Sequence, residues 1–100
     1  MDIAVLGTGN VGRTLATAFA RCGHTVVMGS RTADNATAAE WSNDHGGSAA
    51  TFADAASASD IIVNATAGTA SVEALRSVGA AALAGKVLID VANALDFSQG

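Results

Sequence analysis

Short apolar runs alternate with helix-period segments along the whole of this 100-residue chain, and no other feature limits its possible folds so strongly. Ile3 to Leu6, Thr25 to Met28, Ile61 to Ala65 and Lys86 to Val91 have the length and apolar continuity of strands buried on both faces of a sheet, and Ser48 to Phe52 is a weaker strand candidate. Val11 to Cys22 carries Val11, Leu15, Ala18, Phe19 and Cys22 at helical spacing and stops at Gly23, which predicts a helix whose buried face includes Cys22. Ala36 to Asp44 predicts a second helix ended by Gly46-Gly47, Ala53 to Ala58 a short helical turn, and Ser71 to Leu83 a helix with a break at Gly79. Strands that alternate with helices are joined by right-handed crossovers. The expected fold is therefore α/β: a doubly wound, mainly parallel sheet of order 3-2-1-4-5, covered on both faces in three α/β/α layers. Ligands of such sheets sit at the carboxyl ends of the strands where the order reverses, here between the first and fourth strands.

Half of the residues are hydrophobic, enough for one core without metals or disulfides, and no proline, repeat or charge block marks a linker, so residues 1–100 read as one domain. Most of the apolar count is alanine, with three Phe, one Trp and no Tyr, which suits close helix-on-sheet packing. A net charge of -4 supplies no broad basic field, which argues against nucleic acid or an anionic membrane as the main partner. The lone cysteine cannot form an internal bridge, and neither a basic leader nor a membrane-length apolar stretch is present. The expectation is a soluble, cytoplasmic protein.

Gly7-Thr8-Gly9-Asn10-Val11-Gly12 is a GxGxxG pattern placed directly after a strand and directly before a helix, the context that a Rossmann-type dinucleotide site requires. Gly7 permits the tight turn, Gly9 lets backbone approach a pyrophosphate, and Gly12 lets the helix pack near the strand. Free N–H groups at the start of that helix then meet the anion. A glycine turn that binds nothing, or the glycine-rich turn of a methyltransferase, explains less, because a second signal follows at the end of the next strand.

There, Gly29-Ser30-Arg31-Thr32 stands where an NAD site offers Asp or Glu to the ribose hydroxyls. Ser30 can donate a hydroxyl hydrogen bond and Arg31 can make charge-assisted bonds to a 2′-phosphate, which an acid would repel, so the pattern favours NADP over NAD. The competing explanation for Arg31 is a solvated surface arginine.

Ala65-Thr66-Ala67-Gly68-Thr69, after the fourth strand, is small where the nicotinamide end should cross, although an ordinary alanine-rich turn explains it equally well. After the fifth strand, Asn93 could orient a carboxamide, with Asp90 and Asp96 as turn and cap residues. His24 reads as a polar residue of a helix-to-strand turn and His45 as solvent-facing. No metal-ligand spacing is present, and no catalytic acid or base is assigned.

Together, GTGNVG at Gly7 to Gly12, GH at Gly23-His24, GSR at Gly29 to Arg31, NATAG at Asn64 to Gly68 and DVANALDF at Asp90 to Phe97 resemble deazaflavin-dependent NADP oxidoreductases over essentially the whole chain. The resemblance implies that Thr8, Ser30 and Arg31 bind the adenosine 2′-phosphate region, with Thr32 beside them, Asn10 and Val11 the pyrophosphate, and Ala65, Thr66 and Ala67 with Asn93 the nicotinamide end. It also implies a homodimer. Ala94 stands where the family commonly has proline, and another basic residue often follows the arginine in relatives. Because family members continue well past this point, the resemblance further implies the amino-terminal part of a longer enzyme.

Two functions follow as expectations. The first is an oxidoreductase moving hydride between NADPH and a deazaflavin, flavin or small-molecule acceptor, with catalysis by positioning. The second is a non-catalytic NADP(H)-binding module or sensor subunit.

Overall fold

The computed structural model describes residues 1–32, 34–66, 69–79 and 83–91, with the side chains at 69–71 excepted. Among the described residues these elements alternate: β1 (Asp2–Leu6), α1 (Asn10–Arg21), β2 (Thr25–Ser30), α2 (Ala36–His45), β3 (Ser48–Thr51), α3 (Phe52–Ser57), β4 (Ile61–Asn64), α4 (Thr69–Val78) and β5 (Val87–Asp90). The strands form one sheet of order β3-β2-β1-β4-β5, and every pairing is parallel. The expected topology is thus the observed one, a Rossmann-like α/β fold.

Strand alternation sorts the core into two layers. Ile3, Val5, Val26, Met28 and Val63 point to one side and pack against Ala16 of α1 and Ala38 and Trp41 of α2. Ala4, Leu6, Val27 and Ile62 point to the other, against Phe52, Ala55 and Ala56 of α3 and Ala74 and Val78 of α4. Because alternate side chains of a strand face opposite ways, a central strand with helices on both sides must be apolar throughout, which is why β1 reads as an unbroken run. Glycine lets these layers close. A Cβ on Gly29 would lie 2.9 Å from Leu6 Cδ2 and 3.2 Å from the Ala55 methyl, and one on Gly47 would enter the Trp41 ring.

Three expectations are corrected. The stripe Val11, Leu15, Ala18, Phe19, Cys22 is the packed face of α1 only in part. The fully buried residues of that helix are Gly12 and Ala16, with Val11, Leu15, Phe19 and Ala20 only partly covered, while Ala18 is exposed. Small residues seat the helix against the sheet, so its axis lies closer than a stripe of large side chains allows. Cys22 is exposed, because it is the carboxyl cap of the helix, outside the packed turns. Lastly, β5 spans Val87–Asp90 and is an exposed edge, with Val87, Leu88 and Ile89 at 57%, 42% and 43% exposure. The expected order already put this strand at an edge, so what is corrected is its burial on both faces.

Of the other elements, α4 ends at Val78 before Gly79, whose φ of 81° closes the helix in the left-handed region. Among the described residues no helix is long and apolar enough to cross a membrane.

Candidate functional site

The order reverses at β1, whose carboxyl end lies between those of β2 and β4. Main-chain hydrogen bonds extend past the strands there: Gly7 N–H donates to Gly29 O at 3.0 Å, and Ala65 N–H to Leu6 O at 2.8 Å. These bonds hold the three following turns side by side around a crevice of about 330 Å³. It is lined by Gly7, Thr8 and Gly9 of the first turn, Ser30 and Arg31 after β2, and Ala65 and Thr66 after β4, with Asn35 and Phe52 completing it. A larger hollow of about 470 Å³ runs along the flank of α1 between Asn10 and Arg21, but it is lined by that one helix alone.

Each glycine of the first turn answers to a different constraint. Gly7 has φ 121°, and a Cβ there would stand 2.9 Å from the Ala65 carbonyl oxygen, so both conformation and space exclude a side chain. Gly12 sits in the first turn of α1, where a Cβ would strike the Gly7 carbonyl. Gly9 differs from both: its φ of -75° and ψ of -175° suit any residue, and a Cβ would meet nothing within 4 Å. Neither backbone geometry nor protein packing calls for glycine there, and the space beside it belongs to the crevice.

Gly9 is also the N-cap of α1 and brings no side chain to its first amides. The first intrahelical bond runs from Arg13 N–H to Gly9 O at 3.0 Å, so by helix geometry the amides of Asn10, Val11 and Gly12 have no carbonyl one turn back. No acid stands in the first turn. The positive end of the helix dipole and these donors therefore present an anion site at the crevice. The Asn10 side chain accepts a bond from Arg13 Nη2 at 2.6 Å, beside that site.

The wall after β2 is made of side chains. Ser30 is buried at 4% exposure, and its hydroxyl donates to Thr32 O at 2.6 Å. In this state it shapes the turn instead of offering its proton to the crevice, and Thr32 contributes its carbonyl to that bond. Arg31 lines the crevice, and its guanidinium pairs with Glu73 of α4 at 2.5 Å, with both side chains largely exposed. Sequence reading passed over Glu73, which is distant along the chain and sits in a helix with no motif.

After β4, Asn64 is fully buried, and its Oδ1 accepts from Thr66 Oγ1 at 2.5 Å and from Thr66 N–H at 3.3 Å. This Asx turn sets the loop against the crevice. Its signal was present in the sequence as an amide ending the apolar run Ile61-Ile62-Val63. Asn35 and Phe52 were also passed over: the first is the N-cap of α2, accepting from Ala38 N–H at 3.0 Å, and the second belongs to the α3 layer. Ala67 and Asn93 lie outside the described residues. His24 occupies the turn before β2, with its ring edge-on to Phe19, and His45 stacks on Trp41 at 5.2 Å. Neither lines the crevice. Among the described residues no group of His, Cys, Asp or Glu could hold a metal ion.

A parallel sheet reversing at a glycine turn, with a helix start open to an anion and a basic residue one strand away, defines a Rossmann-like domain of the dinucleotide-dependent class. Comparison with known proteins gives the particular family. The chain belongs to the coenzyme F420-dependent NADP oxidoreductases, whose family profile matches residues 2–94. It is 44% identical to a protein from Arthrobacter sp. FB24 assigned as an F420-dependent NADP-reductase, over 91% of this chain and 45% of that one, with a TM-score of 0.80. It is 31% identical to the reductive aminase of Aspergillus terreus solved with NADPH and ethyl-5-oxohexanoate, over 90% of this chain and 31% of that one, at a TM-score of 0.71. An imine reductase of Streptomyces aurantiacus is 27% identical over 90% of this chain and 31% of its own, at a TM-score of 0.75. The chain thus spans less than half the length of each. No curated protein sequence matches significantly.

Proposed function

We propose that the crevice binds NADP(H) and that the chain serves hydride transfer between NADPH and a deazaflavin, flavin or small-molecule acceptor. The observation that carries this reading is Gly9, a glycine without a conformational or packing reason, facing open space at an uncapped helix start. The diphosphate lies against the amides of Asn10, Val11 and Gly12, approaching over Gly9. Arg31, with Thr8, Ser30 and Thr32 around it, holds the 2′-phosphate of adenosine, and the absence of an acid at the end of β2 removes the group that would select NAD. Ala65, Thr66 and Ala67 with Asn93 take the nicotinamide end. Family membership and an NADPH-bound relative support the cofactor, and the family description supports F420, a deazaflavin, as acceptor or donor.

When bound, the nicotinamide supplies the hydride chemistry. The protein's part is to hold and aim. Apart from Arg31, the described residues lining the crevice are neutral, so they orient through hydrogen bonds and shape and exclude water through Phe52 and Ala65, without moving a proton.

Fluorescence titration with NADPH and NADH tests the binding step, with tighter NADPH binding expected and equal affinities overturning the phosphate assignment. Stopped-flow mixing of the NADPH complex with deazaflavin and flavin acceptors tests the activity. Turnover is the expected result, whereas binding without turnover on any acceptor would leave an NADP(H)-binding module or sensor subunit.

A further inference from the structure

Arg31 follows β2 and Glu73 stands on the helix that follows β4, and β1 lies between those two strands. The centres of β2 and β4 are separated by two strand spacings, about 10 Å. The ion pair therefore links the segments that follow the two neighbours of β1, and its arginine lines the crevice beside Gly7, Thr8 and Gly9. Ser30 to Thr32, Thr66 to Asn64, Gly7 to Gly29 and Ala65 to Leu6, at the same end of the sheet, are by contrast local or main-chain ties. Among the described residues, the Arg31–Glu73 contact is the one side-chain ion pair, and it falls on a residue that lines the crevice.

We infer that Glu73 sets NADP(H) affinity and release by competing with the cofactor's 2′-phosphate for the Arg31 guanidinium. The inference rests on the reading of Arg31 as the phosphate-binding residue. A guanidinium has five N–H donors in a planar fork, and a phosphate monoester presents up to two negative charges and three acceptor oxygens. Where the phosphate approaches, it must take over donors now given to Glu73, and any carboxylate left beside it repels it. NAD(H) offers no such rival, so Arg31 stays paired with Glu73 when that cofactor binds. Glu73 therefore acts on one of the two cofactors alone: it weakens NADP(H), shortens its residence, and leaves NAD(H) untouched. In a hydride-transfer cycle, this carboxylate draws the arginine back as the oxidised cofactor departs.

Because both side chains are mostly solvated, the effect is modest and salt-dependent. In Glu73→Gln the NADPH dissociation constant should fall roughly threefold to fivefold at low ionic strength, mainly through a slower off-rate, with NADH unchanged. The gain should fade at about 0.5 M salt. Fluorescence titration and stopped-flow displacement of NADPH from the 100-residue chain read both quantities. The same substitution in an Arg31→Ala background should have no effect, since Glu73 works through the arginine. Unchanged or weakened NADPH binding in Glu73→Gln overturns the inference, as does equal tightening of both cofactors, which would describe a steric bar across the crevice. If Arg31→Ala alone leaves the NADPH-to-NADH preference intact, the assignment of Arg31 itself fails. If that preference collapses while Glu73→Gln changes nothing, only the role of Glu73 fails. Circular dichroism of each variant separates these outcomes from misfolding.

Discussion

The turn after β1 and the turn after β2 lie one strand apart, yet they are held by different means. The first is held by backbone: Gly7 N–H bonds to the Gly29 carbonyl, and the Gly7 carbonyl abuts Gly12. The second is made of side chains, with Ser30 bonded to Thr32 and Arg31 reaching a helix on the far side of β1. Backbone amides at a helix start recognise a diphosphate whatever nucleoside carries it, and moving them requires moving the core. A guanidinium in solvent recognises one extra phosphoryl group and can be altered without disturbing anything buried. On the proposed reading, the difference teaches that general dinucleotide binding and cofactor choice are separable in this domain.

Substitutions break that comparison in order of severity. Gly12→Ala should be the most damaging, because its methyl strikes a backbone oxygen that the Gly7–Gly29 bond holds in place. A loss of about 2–3 kcal/mol in urea unfolding is expected, with NADPH binding lost as well. Asn64→Ala should cost about 1–3 kcal/mol by the same measurement, since it removes the buried acceptor of Thr66. Gly9→Ala is the sharpest test of the backbone wall. Stability should stay within about 0.5 kcal/mol of the parent, the methyl having nothing to strike, while the NADPH dissociation constant rises by about tenfold or more in calorimetric titration. Should Gly9→Ala bind NADPH normally, the diphosphate does not pass over that residue. Arg31→Ala probes the other wall, with stability unchanged and NADPH weakened roughly tenfold while NADH is unaffected.

Much of this was legible in the sequence. The strand order follows from apolar runs alternating with helical segments, because a buried parallel sheet leaves no strand face for polar residues and right-handed crossovers leave few topologies. The site was legible where it is local: Gly7 to Gly12 and Ser30-Arg31 are contiguous motifs beside strand ends, and the structure brings both to one crevice. The face of α1 was legible only in part: Val11, Leu15 and Phe19 do pack against the core, but large apolar residues were weighted above small ones, and the buried residues of the helix are Gly12 and Ala16. The exposure of Cys22 and of the β5 edge was missed for a related reason. Burial at a cap or a sheet margin depends on what lies alongside, which residue type does not record.

What the residues determined unaided is the backbone architecture and the glycine turn and helix start on which the proposed anion site rests, since periodicity, glycine spacing and the order of elements act through short-range sterics and hydrogen bonding. Tertiary structure alone decided how the side chains pair across the sheet. Glu73 meets Arg31 because β2 and β4 both pair with β1 in one sheet, which brings together residues 42 positions apart in the chain. The separate parts expected of Gly7, Gly9 and Gly12 became measurable in the same way, because the space around each shows that the protein itself has no use for a glycine at position 9.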